Sequence, residues 1–110
     1  MALTGAFIDK RQNPNQPFTG EEVYREVTAC VEAGATWIHF HVRDAEGGNI
    51  GEIEEYRKIV QPIRDRYGDK VLLDGCAAFG KNSKDVCAPV TKGLFETGVV
   101  NPVCTFAGSY

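Results

Sequence analysis

The chain has 110 residues, 43% of them hydrophobic and 25% charged, with a formal net charge of −3. These are the proportions of one soluble globular domain with enough apolar residues for a core. No lysine/arginine cluster forms a phosphate-tracking stripe, which speaks against nucleic acid as a partner, and no apolar run nears the ~18 residues of a membrane span.

The opening residues, Met1 to Phe7, lack the basic start and apolar run of a secretory signal. Cys30, Cys76, Cys87 and Cys104 are widely spread, without a C-x-x-C pair. Each has apolar neighbours in the sequence, and they read as reduced core thiols of a cytoplasmic protein.

Ala2 to Ile8 is a short apolar run and the first expected strand. Asp9 to Pro17, punctuated by Asn13-Pro14 and Gln16-Pro17, is a loop. It is long for a strand-to-helix connection, and such loops at strand ends tend to carry function. Thr19-Gly-Glu-Glu22 fits a capping box, with threonine at the N-cap and glutamate three residues on. Val23, Val27, Cys30 and Val31 follow at helical spacing, and Gly34 supplies the left-handed stop.

Trp37 to Asp44 (Trp-Ile-His-Phe-His-Val-Arg-Asp) is the expected central strand. Successive side chains on a strand point to opposite faces, so Trp37, His39, His41 and Arg43 share one face and Ile38, Phe40 and Val42 the other. Two imidazoles at i and i+2 on one face can converge on a single ion at about 2.0–2.1 Å each. The commoner role of a histidine on an apolar strand is that of a satisfied core residue. A pair beside an arginine is different, because every buried ring nitrogen needs a partner. His39 and His41 are the two histidines of the chain, and the bare spacing leaves metal binding and packing both open.

Ala45 to Asn49 is a turn-rich loop. A second helix is expected from about Glu52 to Tyr67, with Tyr56, Ile59, Val60 and Ile63 inward and Gly68-Asp69 at its end. Pro62 must kink or break it. Val71 to Asp74 is a third strand, running into Gly75-Cys-Ala-Ala-Phe-Gly80. That exit lets the backbone approach a ligand and its N–H groups hold a carboxylate, or it is simply a tight turn. Asn82 to Phe95 reads as one short helix interrupted by Pro89, and Gly98 to Phe106 as a last strand.

Strand and helix thus alternate over about four strands in a parallel α/β array. Chemistry at strand C-termini suits either a doubly wound sheet or a TIM barrel, and a barrel wants about 250 residues and eight strands.

The order Leu3-Thr-Gly-Ala6, Asn13-Pro-Asn-Gln-Pro17, Thr19-Gly-Glu-Glu22, Glu32-Ala-Gly-Ala35 and Ile38-His-Phe-His-Val-Arg-Asp44 resembles the N-terminal part of the β-keto acid cleavage enzymes. That family is also known through 3-keto-5-aminohexanoate cleavage enzyme. The likeness runs to Phe106 and weakens after Gly80; its most specific element is E-A-G-A-x-x-I-H-x-H-x-R-D. The resemblance implies a (β/α)8 TIM barrel, tetrameric in the family. Residues 1–110 would then be the truncated N-terminal portion of that single domain, about its first four β/α units.

It further implies acyl exchange between a β-keto acid and acetyl-CoA, giving acetoacetate and an acyl-CoA. A divalent metal, usually zinc, would be held by His39 and His41. Arg43 is expected to support the site by pairing with a carboxylate, and Asp44 to cap the loop. The family's third metal ligand and its catalytic carboxylate would lie beyond Tyr110, which leaves these residues alone inactive.

Against the same resemblance several positions depart. Phe7 stands where the best-known members carry a glutamate that contacts substrate, so a substrate without an amine, a more apolar β-keto acid, is expected. Asp74 aligns with a serine, Cys76-Ala77 with a small Gly-Gly pair, and Cys104 with a threonine. Asp74, Ala77 and Cys104 are therefore the candidate substrate-binding positions. Two other readings stand beside the enzyme: a TIM-barrel metallohydrolase, since H-x-H on an early strand also starts that kind of site, and a non-catalytic remnant or interaction module.

Overall fold

Thr19 opens the first helix, α1 (Gly20–Glu32), in the computed structural model, which describes residues 1–75 and 83–98. The Thr19 hydroxyl accepts the backbone N–H of Glu22, and the Glu22 carboxylate accepts the backbone N–H of Thr19, so the capping box closes in both directions. The helix stops where glycine was expected to stop it. Gly34 takes φ +100°, its N–H donates to the Val31 carbonyl, and the Ala35 N–H donates to that of Cys30, the paired bonds of a Schellman ending.

Glu22 also ties the long 9–17 loop to the helix. It pairs with Lys10 and accepts the Phe18 N–H at 2.8 Å. These bonds, the one from Lys10 foremost, hold its carboxyl down to about 2. A depressed carboxylate stabilises the fold above its unfolded value of 4.5, and that contribution fades as pH falls toward 2. Glu22→Gln is expected to lower stability by about 1 kcal/mol at pH 7. Urea unfolding should show the two proteins converging between pH 4.5 and pH 2; a gap that persists at pH 2 would mean the charge is not the cause.

Among the described residues three short parallel strands follow: β1 (Trp37–Phe40), β2 (Leu72–Gly75) and β3 (Thr97–Gly98), lying side by side in chain order. The register sets His39 opposite Asp74 and Phe40 opposite Gly75. Instead of a full first strand over Ala2 to Ile8, the N-terminus makes a one-residue parallel bridge, Ala2 to His39. Thr4-Gly5 cuts the ladder short, yet Leu3 N–H to His39 O (3.0 Å) and His39 N–H to Met1 O (2.7 Å) keep the segment beside β1. The central strand likewise ends at Phe40, earlier than expected, and past it Arg43 makes an isolated antiparallel bridge to Asn49 in the following loop.

Ile38 and Phe40 of β1 and Leu73 of β2 point to one side of the sheet. There they pack with Val23 and Val27 of α1 and with Tyr56, Ile59, Val60 and Ile63 of α2 (Ile53–Tyr67) in a single core. Both helices therefore cover the same sheet face. On the other face Trp37 is 53% and Leu72 44% exposed among the described residues, and these two are register partners.

Pro62 does not divide α2, which runs unbroken to the Gly68 cap. The proline only removes the N–H that would have bonded the Lys58 carbonyl. A 3-10 turn over Gly68–Lys70 then leads into β2. Pro89 likewise sits inside α3 (Ser83–Thr91) rather than interrupting it. Cys30 is half-buried, but Cys87 is exposed on α3 and so is not a core thiol; its apolar sequence neighbours did not fix which side of the helix it takes. Cys76 and Cys104 lie outside the described residues, as do the Cys76–Gly80 exit and residues 99–106 of the expected last strand.

Candidate metal and keto acid site

His39 stands within β1 and His41 just past its end, both half-buried on the face opposite the core. Ile38, Phe40 and Val42, all buried, pin the alternation that puts the two imidazoles on one side. The rings meet edge to face, with centroids 5.2 Å apart and planes at 81°, and their Nε2 atoms are 3.4 Å apart. Two nitrogens bound to one tetrahedral zinc at about 2.0–2.1 Å lie roughly 3.3–3.4 Å apart. The pair thus has the spacing a shared divalent cation requires. A neutral N–H to N hydrogen bond fits the same distance less well, since such bonds prefer about 3 Å.

The electrostatics favour a neutral His41. Burial, then the neighbouring His39 and Arg43, hold His41 down to about 4, so its imidazole carries no charge at pH 7. A neutral ring has the lone pair that a metal ligand needs. Among the described residues no group of three or more His, Cys, Asp or Glu side chains is arranged around a common point. A catalytic zinc ordinarily takes three protein ligands, so the pair is a partial donor set.

Asp74, expected among substrate-binding positions, meets His39 instead. Its Oδ2 lies 2.9 Å from His39 Nδ1, and the residue is 7% exposed. The parallel register brings together two residues 35 positions apart. Sequence reasoning marked both but did not join them. The available signal was an acidic side chain ending the strand after the histidine strand. The other candidates, Ala77 and Cys104, lie outside the described residues. Phe7 is 65% exposed, four residues past Leu3, whose N–H bonds His39 O.

Arg43 departs from its expected role. It is 6% exposed, yet its guanidinium meets backbone carbonyls rather than a carboxylate. Nε donates to Gly47 O at 2.8 Å, Nη1 to Gly5 O at 3.0 Å and also to Ile8 O, and Nη2 again to Gly47 O. The plane stacks over Phe18, 4.2 Å from the ring centroid. The fork geometry of a guanidinium matches several converging carbonyls, and here it clamps the N-terminal segment to the loop after His41. Asn49 adds a bond to Ala6 O at 3.1 Å. Asp44 does cap its loop: Oδ1 accepts the Gly48 N–H at 2.6 Å.

A cleft of about 380 Å³ lies elsewhere, between α1 and α2, lined by residues such as Tyr24, Lys58 and Ile59 but by neither histidine nor Asp74. No described helix is long and apolar enough to cross a membrane.

The sequence matches the model of the beta-keto acid cleavage enzyme family over residues 1–91. It is 33% identical over 108 residues to 3-keto-5-aminohexanoate cleavage enzyme of Acetoanaerobium sticklandii, covering 97% of this chain and 40% of that protein. It is 38% identical over 71 residues to the enzyme of the same name from Fusobacterium nucleatum, covering 64% of this chain and 26% of that one. To 3-oxoadipate:acetyl-CoA acetyltransferase of Cupriavidus necator it is 36% identical over 64 residues, or 58% of this chain and 22% of that protein. The chain thus spans well under half the length of these relatives. The family match covers most of the chain and includes the histidine strand and its neighbours: the chain belongs to the β-keto acid cleavage enzyme family.

Proposed function

We propose that this chain is the N-terminal portion of a (β/α)8 enzyme that exchanges acyl groups between a β-keto acid and acetyl-CoA. The products are acetoacetate and a new acyl-CoA, and His39 and His41 supply two ligands of a divalent cation, with zinc best suited to imidazole donors. The observation that carries the metal reading is the 3.4 Å separation of the two Nε2 atoms at the C-terminal end of β1. The barrel reading is supported by the in-order parallel strands and by α1 and α2 on one sheet face. A doubly wound sheet would reverse its strand order and put helices on both faces, whereas a barrel keeps all its helices outside. The acyl-transfer reading is supported by the names of the relatives.

A zinc ion bound there would supply Lewis acidity to the keto acid's oxygens. The chain's own residues do the preparation. The core side chains Ile38, Phe40 and Val42 fix the side of the strand both imidazoles take, and burial keeps the His41 ring neutral, the form a metal ligand needs. Arg43 holds the segments on either side of the pair, Gly5 to Ile8 and Gly47, in fixed relation. The third ligand and the group that moves the proton would come from the remainder of the barrel. Phe7 lacks a carboxylate to pair with an amino group, which favours a keto acid without that amine.

Titration of the 110-residue chain with zinc, followed by calorimetry, tests the metal assignment. One equivalent is expected to bind, with loss of at least tenfold in affinity for His39→Ala and for His41→Ala. Equal weak binding by all three would remove the metal and favour a non-catalytic interaction module. Incubation of a protein with the full set of barrel strands with acetyl-CoA and a β-keto acid should yield acetoacetate; release of free acid without CoA transfer would point to a metallohydrolase.

A further inference from the structure

We infer that Asp74 is a positioning residue for His39. It holds the ring as the Nδ1–H tautomer and so turns the Nε2 lone pair toward Nε2 of His41. The inference rests on the metal reading above and goes one step past it, to the residue that presets the ligand.

A carboxylate can only accept hydrogen bonds, so the contact between Asp74 Oδ2 and His39 Nδ1, at 2.9 Å, requires the proton on Nδ1. A neutral imidazole has one N–H, and its lone pair must then sit on Nε2. That is the atom 3.4 Å from His41 Nε2. The arrangement is held from both sides. The ladder fixes His39 and Asp74 as register partners. The Asp74 side chain is only 10% exposed, against 24% for His39, so the bond forms where water competes poorly.

Asp74 Oδ1 is buried and has no hydrogen-bond partner among the described residues. Among the described residues the carboxylate is therefore engaged by the histidine alone. Carboxylate–histidine pairs of this kind set the tautomer and raise the basicity of a ligating ring, and their loss typically weakens metal affinity 10–100-fold. This gives Asp74 a role through His39 and not through substrate.

The test uses the full 110-residue chain labelled with ¹⁵N histidine, with Asp74→Asn and Asp74→Leu as variants. Imidazole ¹⁵N shifts without metal report the tautomer, and Co²⁺ titration reports the ligand pair. Wild type is expected to show His39 protonated on Nδ1, with Asp74→Leu shifting the proton toward Nε2 and binding Co²⁺ about 10–100-fold more weakly. Asp74→Asn keeps an acceptor oxygen of the same size and is expected to fall between the two, which separates positioning from a general loss of fold. A wild-type ring protonated on Nε2, or variants with unchanged tautomer and unchanged Co²⁺ affinity, would overturn the inference. Equal, tight Co²⁺ binding by wild type and variants overturns only the role of Asp74. Failure of wild type itself to bind Co²⁺ overturns the metal reading, and the inference falls with it.

Discussion

Replacing Arg43 with methionine is expected to cost the protein about 3 kcal/mol or more and to free its N-terminal segment. The side chain is buried, and its fork satisfies the carbonyls of Gly5, Ile8 and Gly47 together. Each acceptor left dry costs roughly 1–3 kcal/mol, less where the segment can move out to water. Methionine fills the space against Phe18 but donates nothing. Lysine keeps the charge, yet a single ammonium cannot span three carbonyls arranged around a plane, so Arg43→Lys should lose most of the same stability. Urea unfolding measures the cost. Hydrogen exchange at the Leu3 amide, which donates to His39 O, reports the segment. A lysine variant as stable and as protected as wild type would show that charge, not the fork, is what matters.

Gly75→Ala is expected to be as damaging, for a steric reason. A Cβ at this position would lie 2.2 Å from Cε2 and 2.4 Å from Cζ of Phe95. The ring cannot simply step aside, because it packs edge to face on Phe40 at 5.6 Å and on Tyr56 at 5.5 Å. Overpacking of this kind typically costs about 1–3 kcal/mol, and the upper end applies where the neighbour is locked. Gly75→Ala combined with Phe95→Leu should be less unstable than the sum of the single changes, since the smaller side chain gives up the contested space. Strict additivity in a double-mutant cycle would mean that the two residues do not meet in solution.

Much of the scaffold was legible because it is written locally. The Thr19/Glu22 capping box, the glycine stop at Gly34 and the inward set Tyr56, Ile59, Val60 and Ile63 all act within a few residues of chain. So does the alternation that separates His39 and His41 from Ile38, Phe40 and Val42. What escaped depends on pairing across the sheet. The bond from His39 to Asp74 exists only because the ladder chose that register. The carbonyl partners of Arg43 carry no residue-type signature, which is why a carboxylate was the natural expectation. Gly75 opened a run that suggested close approach of a ligand or a tight packing turn, and at Gly75 itself the space a Cβ would need is taken by Phe95, while Cys76–Gly80 lie outside the described residues. The exposed side of Cys87 was hidden for a related reason: its helix carries apolar residues around more than one face, as Val90 at 37% exposure illustrates.

The order of the strands also bears on how the chain is made. The N-terminal segment pairs with β1, β1 with β2, and β2 with β3, so each described strand docks on one already synthesised. Among the described strands none must wait for a later one to slip in between two neighbours. Assembly can therefore advance from the N-terminus one unit at a time, with loop closures limited to the span of a single helix and its turns. In such a scheme the first segment is the seed, and the arginine that fastens it follows 35 to 38 residues later, soon after β1.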